Sequence, residues 1–222
     1  MNLQPIIFDF NGTMFLDSAE NEAAWRKEIK GICDKDISDE EFKNFVHGSM
    51  NEDIIRHFVG PNISDIRVKL YSEDKEMIYR KLCLENPKML HLAPGLVPLL
   101  NELRDQKVPI TIATAALPSN MEFYFKHMDL ARWFSRSKII CNDGSIPSKP
   151  NPIIYLKAAR ALRVEPEDCI VVEDSINGIR AASNAGVKKI IAIASTNPIE
   201  YFADIPEVSA VIKDFHEFKA LL

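Results

Sequence analysis

Six short apolar runs, at 5–9, 108–114, 138–141, 169–173, 189–194 and 208–212, alternate along much of the chain with stretches whose apolar residues recur every three to four positions. Runs this short, rich in β-branched residues and bounded by turn formers, predict strands. The intervening 95–106, 119–130, 151–163 and 175–186 predict helices, with Pro94-Gly95 ahead of the first and Gly186 closing the last. Such a β-α-β-α alternation predicts an α/β protein with a mostly parallel sheet, because each parallel crossover carries a helix over one face.

Residues 17–90 break that rhythm. Trp25, Ile29, Ile32, Phe42, Phe45, Val46, Ile54, Ile55 and Phe58, then Leu70, Met77, Ile78 and Leu82, fall at helical spacing with no strand pattern among them. The expectation is a helical insertion after the first strand, leaving the core near Phe15-Leu16-Asp17 and returning near Leu90-Ala93. The expected domains are 1–16 with 91–222, and 17–90. Neither crossing is a long Gly/Ser linker, so motion of the insertion would come from hinge changes at two short connections.

Composition narrows the function. With 222 residues, 46% of them hydrophobic, the chain can build one well-packed core and a smaller lobe. The net charge of −5 comes from mixed acids and bases, so neither nucleic acid nor a membrane surface is an expected partner. Cys33, Cys83, Cys141 and Cys169 lie far apart without metal-ligand spacing, which predicts reduced thiols and a cytoplasmic protein. No apolar run approaches the ~18 residues of a membrane span, and no basic leader precedes the first strand. A monomer is the expected state.

Four polar positions follow predicted strands. Asp9 ends the first run, Thr114 the second, Lys149 lies in the loop after 138–141, and Glu173-Asp174 ends the fourth. In a parallel sheet these carboxyl ends emerge on one edge, where α/β sheets bind ligands. The set suits phosphoryl transfer, in which an aspartate attacks phosphorus and splits one hard displacement into two easier ones. Carboxylate and phosphate repel, so a Mg²⁺ held by Asp9 and Glu173-Asp174 would supply positive charge. Lys149 would neutralise phosphate oxygens, while Thr114 and the amides around Gly12-Thr13 would donate hydrogen bonds to them. Singly, each residue has an ordinary use: Asp9 as a turn acid, Lys149 as a solvated loop lysine, Asp174 as a helix cap. Their order at successive strand ends favours one site.

Asp9-Phe10-Asn11-Gly12-Thr13, Thr114, Lys149-Pro150-Asn151-Pro152-Ile153-Ile154-Tyr155 and Glu173-Asp174-Ser175-Ile176-Asn177-Gly178, with Asn184-Ala185-Gly186 beyond, resemble the four ordered motifs of the haloacid dehalogenase superfamily. The likeness is to its β-phosphoglucomutase-like phosphatases and covers nearly the whole chain. It implies a Rossmann-like parallel sheet core with an inserted all-helical cap domain, and magnesium-dependent hydrolysis of a small phosphorylated metabolite. Carried over, Asp9 would be nucleophile and metal ligand, and Asn11 would offer its backbone carbonyl to the metal. Asp174 would bind the metal, with Glu173 helping directly or through water. Gly12, Thr13, Thr114, Ala115 and Lys149 would hold the phosphoryl group, and His47, Asn51 and Arg56 in the cap would meet the substrate.

The resemblance also frames the alternatives. Haloacid dehalogenases lack the acid pair that Glu173-Asp174 supplies here, and phosphonoacetaldehyde hydrolases use a cap lysine that the segment around Gly48 does not carry. A phosphomutase would need a cap group for a distal phosphate, which the sequence does not identify. Where Asn11 stands, the phosphatase and mutase branches carry a second aspartate that protonates the leaving group. An amide cannot exchange that proton at neutral pH. Asn11 is therefore natural with water or a cap histidine (His47 or His57) assisting, natural in a catalytically weak phosphate-ligand binder, or an introduced replacement.

Overall fold

The computed structural model describes residues 3–46 and 49–221. In chain order, strand β1 (Ile6–Phe8) is followed by helices α1 (Ser18–Cys33), α2 (Asp39–Glu41), α3 (Asn51–Val59) and α4 (Asp65–Glu85). Then come α5 (Leu96–Asp105), β2 (Ile110–Ile112), α6 (Pro118–His127), α7 (Ile153–Leu162), β3 (Ile170–Glu173), α8 (Ile176–Asn184), β4 (Lys189–Ile193), α9 (Glu200–Ala203) and β5 (Ala210–Ile212).

All five strands are parallel in the order β2-β1-β3-β4-β5. β1 lies between β2 and β3 and is covered on both faces, through Ile7 on one and Phe8 on the other, which is why Ile6-Ile7-Phe8 is uninterruptedly apolar and fully buried. Ile7 packs with Val171, Ile154, Tyr155, Ala158 and Ile179 in one cluster. Phe8 packs against Phe134 and Phe215 with centroids 6.4 and 6.1 Å apart. Each such side chain contributes about 1.5–3 kcal/mol of burial energy. Phe8 is in register with Ile112 and Val172, so the residues just beyond β1, β2 and β3 share one edge.

The expected strand at 138–141 is reduced to a single bridge, Ala113 to Ile140. The 3₁₀ turn Arg136–Lys138 takes up its start. Beyond Cys141, the Asn142 and Asp143 side chains accept from the Gly144 and Ser145 amides, offering the backbone a turn in place of a ladder.

The chain forms two compact units, Met1–Leu16 with His91–Leu222, and Asp17–Leu90. The second unit's described residues form helices and connecting turns only, around Trp25, Ile29, Ile54, Ile55 and Val68. It also buries polar groups: Lys75 donates to Asn21 Oδ1 and Glu76 Oε1 at 2.7 and 2.8 Å, and Tyr79 donates to Asp17 at 2.5 Å. Among the described residues no helix is long and apolar enough to cross a membrane.

Candidate active site

Asp9 directly follows β1, with its amide bonded to Val172 O on β3 at 3.0 Å, so the sheet fixes its direction. It is 6% exposed. One register step away, Glu173 ends β3 with no exposure at all. Between them, Lys149 Nζ donates to Asp9 Oδ1 at 2.6 Å and to Glu173 Oε1 at 2.5 Å. Burial alone would lower the Lys149 pKa, but the two carboxylates outweigh it and hold the ammonium charged well above its ordinary range.

Glu173 is held by five hydrogen bonds. Oε1 accepts from Lys149 and from Tyr155 Oη at 2.7 Å, while Oε2 accepts from the Asp174 amide, the Ser175 amide and Ser175 Oγ, each at 3.0 Å. Burial opposes its ionisation, yet the Lys149 charge and these donors keep its carboxyl below the usual range. Burial beside Glu173 pushes the Tyr155 phenol well up, so it stays a donor. Ser175 also caps α8 by accepting from the Gly178 amide at 3.1 Å. A methyl on Gly178 would sit 1.8 Å from Glu173 Oε1, so only glycine lets the helix start this close to the acid.

Asp174, half-buried, takes a different environment. Burial first, then the charges of Glu173 and Asp9, push its pKa well above normal, only partly offset by Lys149 and by Thr13 Oγ1 at 3.2 Å. Gly12, at φ +76°, lies against it so closely that a Cβ would be 2.1 Å from Asp174 Oδ2. Asp9, Glu173 and Asp174 can each offer an oxygen within 4.8 Å of the others.

Asn11 faces aromatic and hydroxyl neighbours. Its Nδ2 donates to Tyr124 Oη at 2.9 Å, and its Oδ1 accepts from Thr114 Oγ1 at 3.5 Å. Tyr124 is fully buried and stacks on Phe10 at 4.5 Å. Thr114 Oγ1 also accepts from the Ala116 amide at 3.1 Å, beside exposed Ala115.

The structure places the expected phosphate donors Gly12 and Thr13 in the tight turn after β1. The Gly12 amide donates to Phe15 O at 2.7 Å and that of Thr13 to Phe10 O at 3.3 Å, because the tight turn after β1 satisfies its own backbone. Both also lie against Asp174, Thr13 through its hydroxyl and Gly12 through its open Cα.

Among the cap candidates, His47 lies outside the described residues. Asn51 donates to Glu76 Oε1 at 2.9 Å. Arg56 bonds Glu52, Asp65 and the carbonyls of Pro61 and Ile63, closing the turn after α3. His57 is exposed and stacked on Phe45 at 4.0 Å. Sequence reasoning gave no role to Tyr124, Tyr155, Ser175, Gly178 or Asn184, whose Nδ2 donates to Pro150 O at 3.0 Å and ties α8 to the lysine loop. For the last four the signal was their fixed place in the quoted motifs.

A family model described as haloacid dehalogenase-like hydrolase matches residues 5–186, a span that includes Asp9, Lys149 and the Glu173-Asp174 pair. The plasmid protein CbbY of Cupriavidus necator is 36% identical over 103 residues, 46% of this chain and 41% of that protein. The phosphorylated carbohydrates phosphatase of Thermotoga maritima is 28% identical over 125 residues, 56% of this chain and 54% of that protein. Those alignments span about half the length of these relatives. Among solved structures, a HAD hydrolase, family IA, variant 3, of Entamoeba histolytica superposes with a TM-score of 0.89 at 35% identity, covering 97% of this chain and 95% of that one. The chain belongs to the haloacid dehalogenase-like hydrolases.

Proposed function

We propose that the protein is a Mg²⁺-dependent phosphatase that hydrolyses a small phosphate monoester, foremost a sugar phosphate, through an aspartyl-phosphate at Asp9. The observation that carries this reading is the cluster of Asp9, Glu173 and Asp174 oxygens within 4.8 Å of one another, bridged at two of the acids by one ammonium. The name of the Thermotoga maritima relative supports the substrate class.

The donor set fits magnesium: hard carboxylate oxygens, and a charge excess registered in the raised pKa of Asp174. Asp9, Asp174 and the Asn11 backbone carbonyl would hold the ion, with Glu173 acting through water because its oxygens already accept five hydrogen bonds. When bound, the ion offsets the negative charge of the carboxylates and the phosphoryl oxygens.

In the first step an Asp9 oxygen forms a bond to phosphorus as the bond from phosphorus to the alcohol oxygen breaks. The departing alkoxide takes its proton from water, since the Asn11 amide has none to give. In the second step water attacks phosphorus and gives a proton to the hydroxide left by the first, inorganic phosphate leaves with the Asp9–phosphorus bond broken, and the carboxylate is restored. Lys149 and Thr114 orient the phosphoryl group and stabilise charge on its oxygens, and the 17–90 unit selects the substrate as a cap.

Asn11 favours a second reading, a catalytically weak binder of phosphorylated ligands. A screen of phosphorylated metabolites with Mg²⁺, run beside Asp9→Asn as the blank, separates the two. Phosphate release above the blank supports the phosphatase; thermal stabilisation by a ligand without release supports the binder.

A further inference from the structure

One face of α4 carries exposed apolar residues along its whole length: Ile66 at 81% exposure, Leu70 at 55%, Met77 at 52% and Leu84 at 50%. At 100° per residue these four lie within about 20° of one line along the helix. The opposite face, Val68, Ser72, Lys75, Glu76, Tyr79 and Cys83, is buried. The exposed stripe thus belongs to a helix whose other side is already packed, and it is flanked by charges that are not arranged at random.

We propose that this face pairs with a second copy of the chain, the two α4 helices running antiparallel about a two-fold axis at Met77. That axis brings residues on the same flank together when their numbers sum to about 154. On one flank Glu73 meets the partner's Arg80; on the other, Asp74 meets the partner's Lys81 and Arg67 meets the partner's Glu85. Leu70 lies across from the partner's Leu84, and Met77 meets the partner's Met77. A parallel pairing would instead bring opposite flanks together at equal height, setting Glu73 against the partner's Asp74 and Arg80 against the partner's Lys81, like charge on like. Within one chain Glu73 and Arg80 already pair at 2.6 Å, so dimerisation exchanges an intramolecular ion pair for its symmetric equivalent. A contact built on one helix belongs to the small, concentration-dependent class of interfaces.

Sedimentation velocity from about 5 to about 500 µM tests this. The wild-type chain should shift from monomer to dimer across that range. Met77→Lys, which puts two ammonium groups at the axis, and Arg80→Glu, which sets Glu73 against a glutamate, should each raise the dimer Kd at least about tenfold. Glu73→Arg combined with Arg80→Glu restores opposite charges across the axis and should recover the dimer, with circular dichroism verifying equal helix content. A wild-type monomer at every concentration overturns the proposal, as does a dimer that survives Met77→Lys. A double variant that stays monomeric while fully helical overturns the antiparallel register.

Discussion

Lys149 Nζ sits 2.6 Å from Asp9 Oδ1, with 11% of the lysine side chain and 9% of the aspartate side chain exposed. At that burial the pair is not a surface ornament. Removing one partner leaves an uncompensated buried charge, which costs about 3–5 kcal/mol in comparable sites. Here Lys149→Met strips the cation from both Asp9 and Glu173. The expected result is a loss of about 3 kcal/mol in urea unfolding without metal, and a kcat at least about 10²-fold lower.

At position 11 the amide bonds Tyr124 and Thr114, so the site holds a side chain there in a fixed pose. An aspartate in that pose has no N–H to give, so the Tyr124 hydroxyl would turn from acceptor to donor, and the site would gain an exchangeable proton. Asn11→Asp should raise Mg²⁺-dependent phosphatase activity about tenfold or more, with the largest gain on substrates whose alcohols are poor leaving groups. Steady-state rates on a sugar phosphate and on an aryl phosphate provide the comparison. Equal rates for the two proteins would remove any proton-transfer deficit.

Gly178 makes room for Glu173, whose oxygens a Cβ would approach to 1.8 Å. Neither the helix start nor a fully bonded buried carboxylate can shift freely. Gly178→Ala should cost about 2–3 kcal/mol and most of the activity, while Ser175→Ala, which removes one cap acceptor, should cost about 1 kcal/mol. Chemical denaturation of both variants measures the difference.

In the 17–90 unit, burial and then the Asp74 charge push the Glu28 carboxyl up to about 7. A folded-state pKa raised above the unfolded value means the native state binds more protons, so stability falls as pH rises. The loss should run from about pH 4.5 to about pH 7 and amount to roughly 2–3 kcal/mol. Glu28→Gln should flatten that part of the pH–stability profile. A wild-type profile with no decline in this window would contradict the assignment.

Asp9, Lys149 and Glu173-Asp174 were legible in the sequence because a parallel sheet collects its strand ends on one edge, whatever loops lie between. Tyr124 was not. It stands in α6 between Phe123 and Phe125 and reads as core, and its bond to Asn11 spans 113 residues. The strand at 138–141 failed for a local reason, because Asn142 and Asp143 compete for the backbone, a preference that apolar periodicity does not register. The ion pairs of Arg56 with Glu52 and Asp65 join residues four and nine positions away, a local network that apolar periodicity does not register.

In the proposed mechanism Asp9 takes the phosphoryl group. Rapid acid quench during Mg²⁺-dependent turnover of p-nitrophenyl phosphate, followed by peptide mass analysis, tests it directly. The expected result is a phosphoryl group on Asp9 that disappears on chase and is absent in Asp9→Asn, which should release no phosphate. Turnover that persists in Asp9→Asn, or that proceeds with Asp9 unlabelled at every time point, would contradict it.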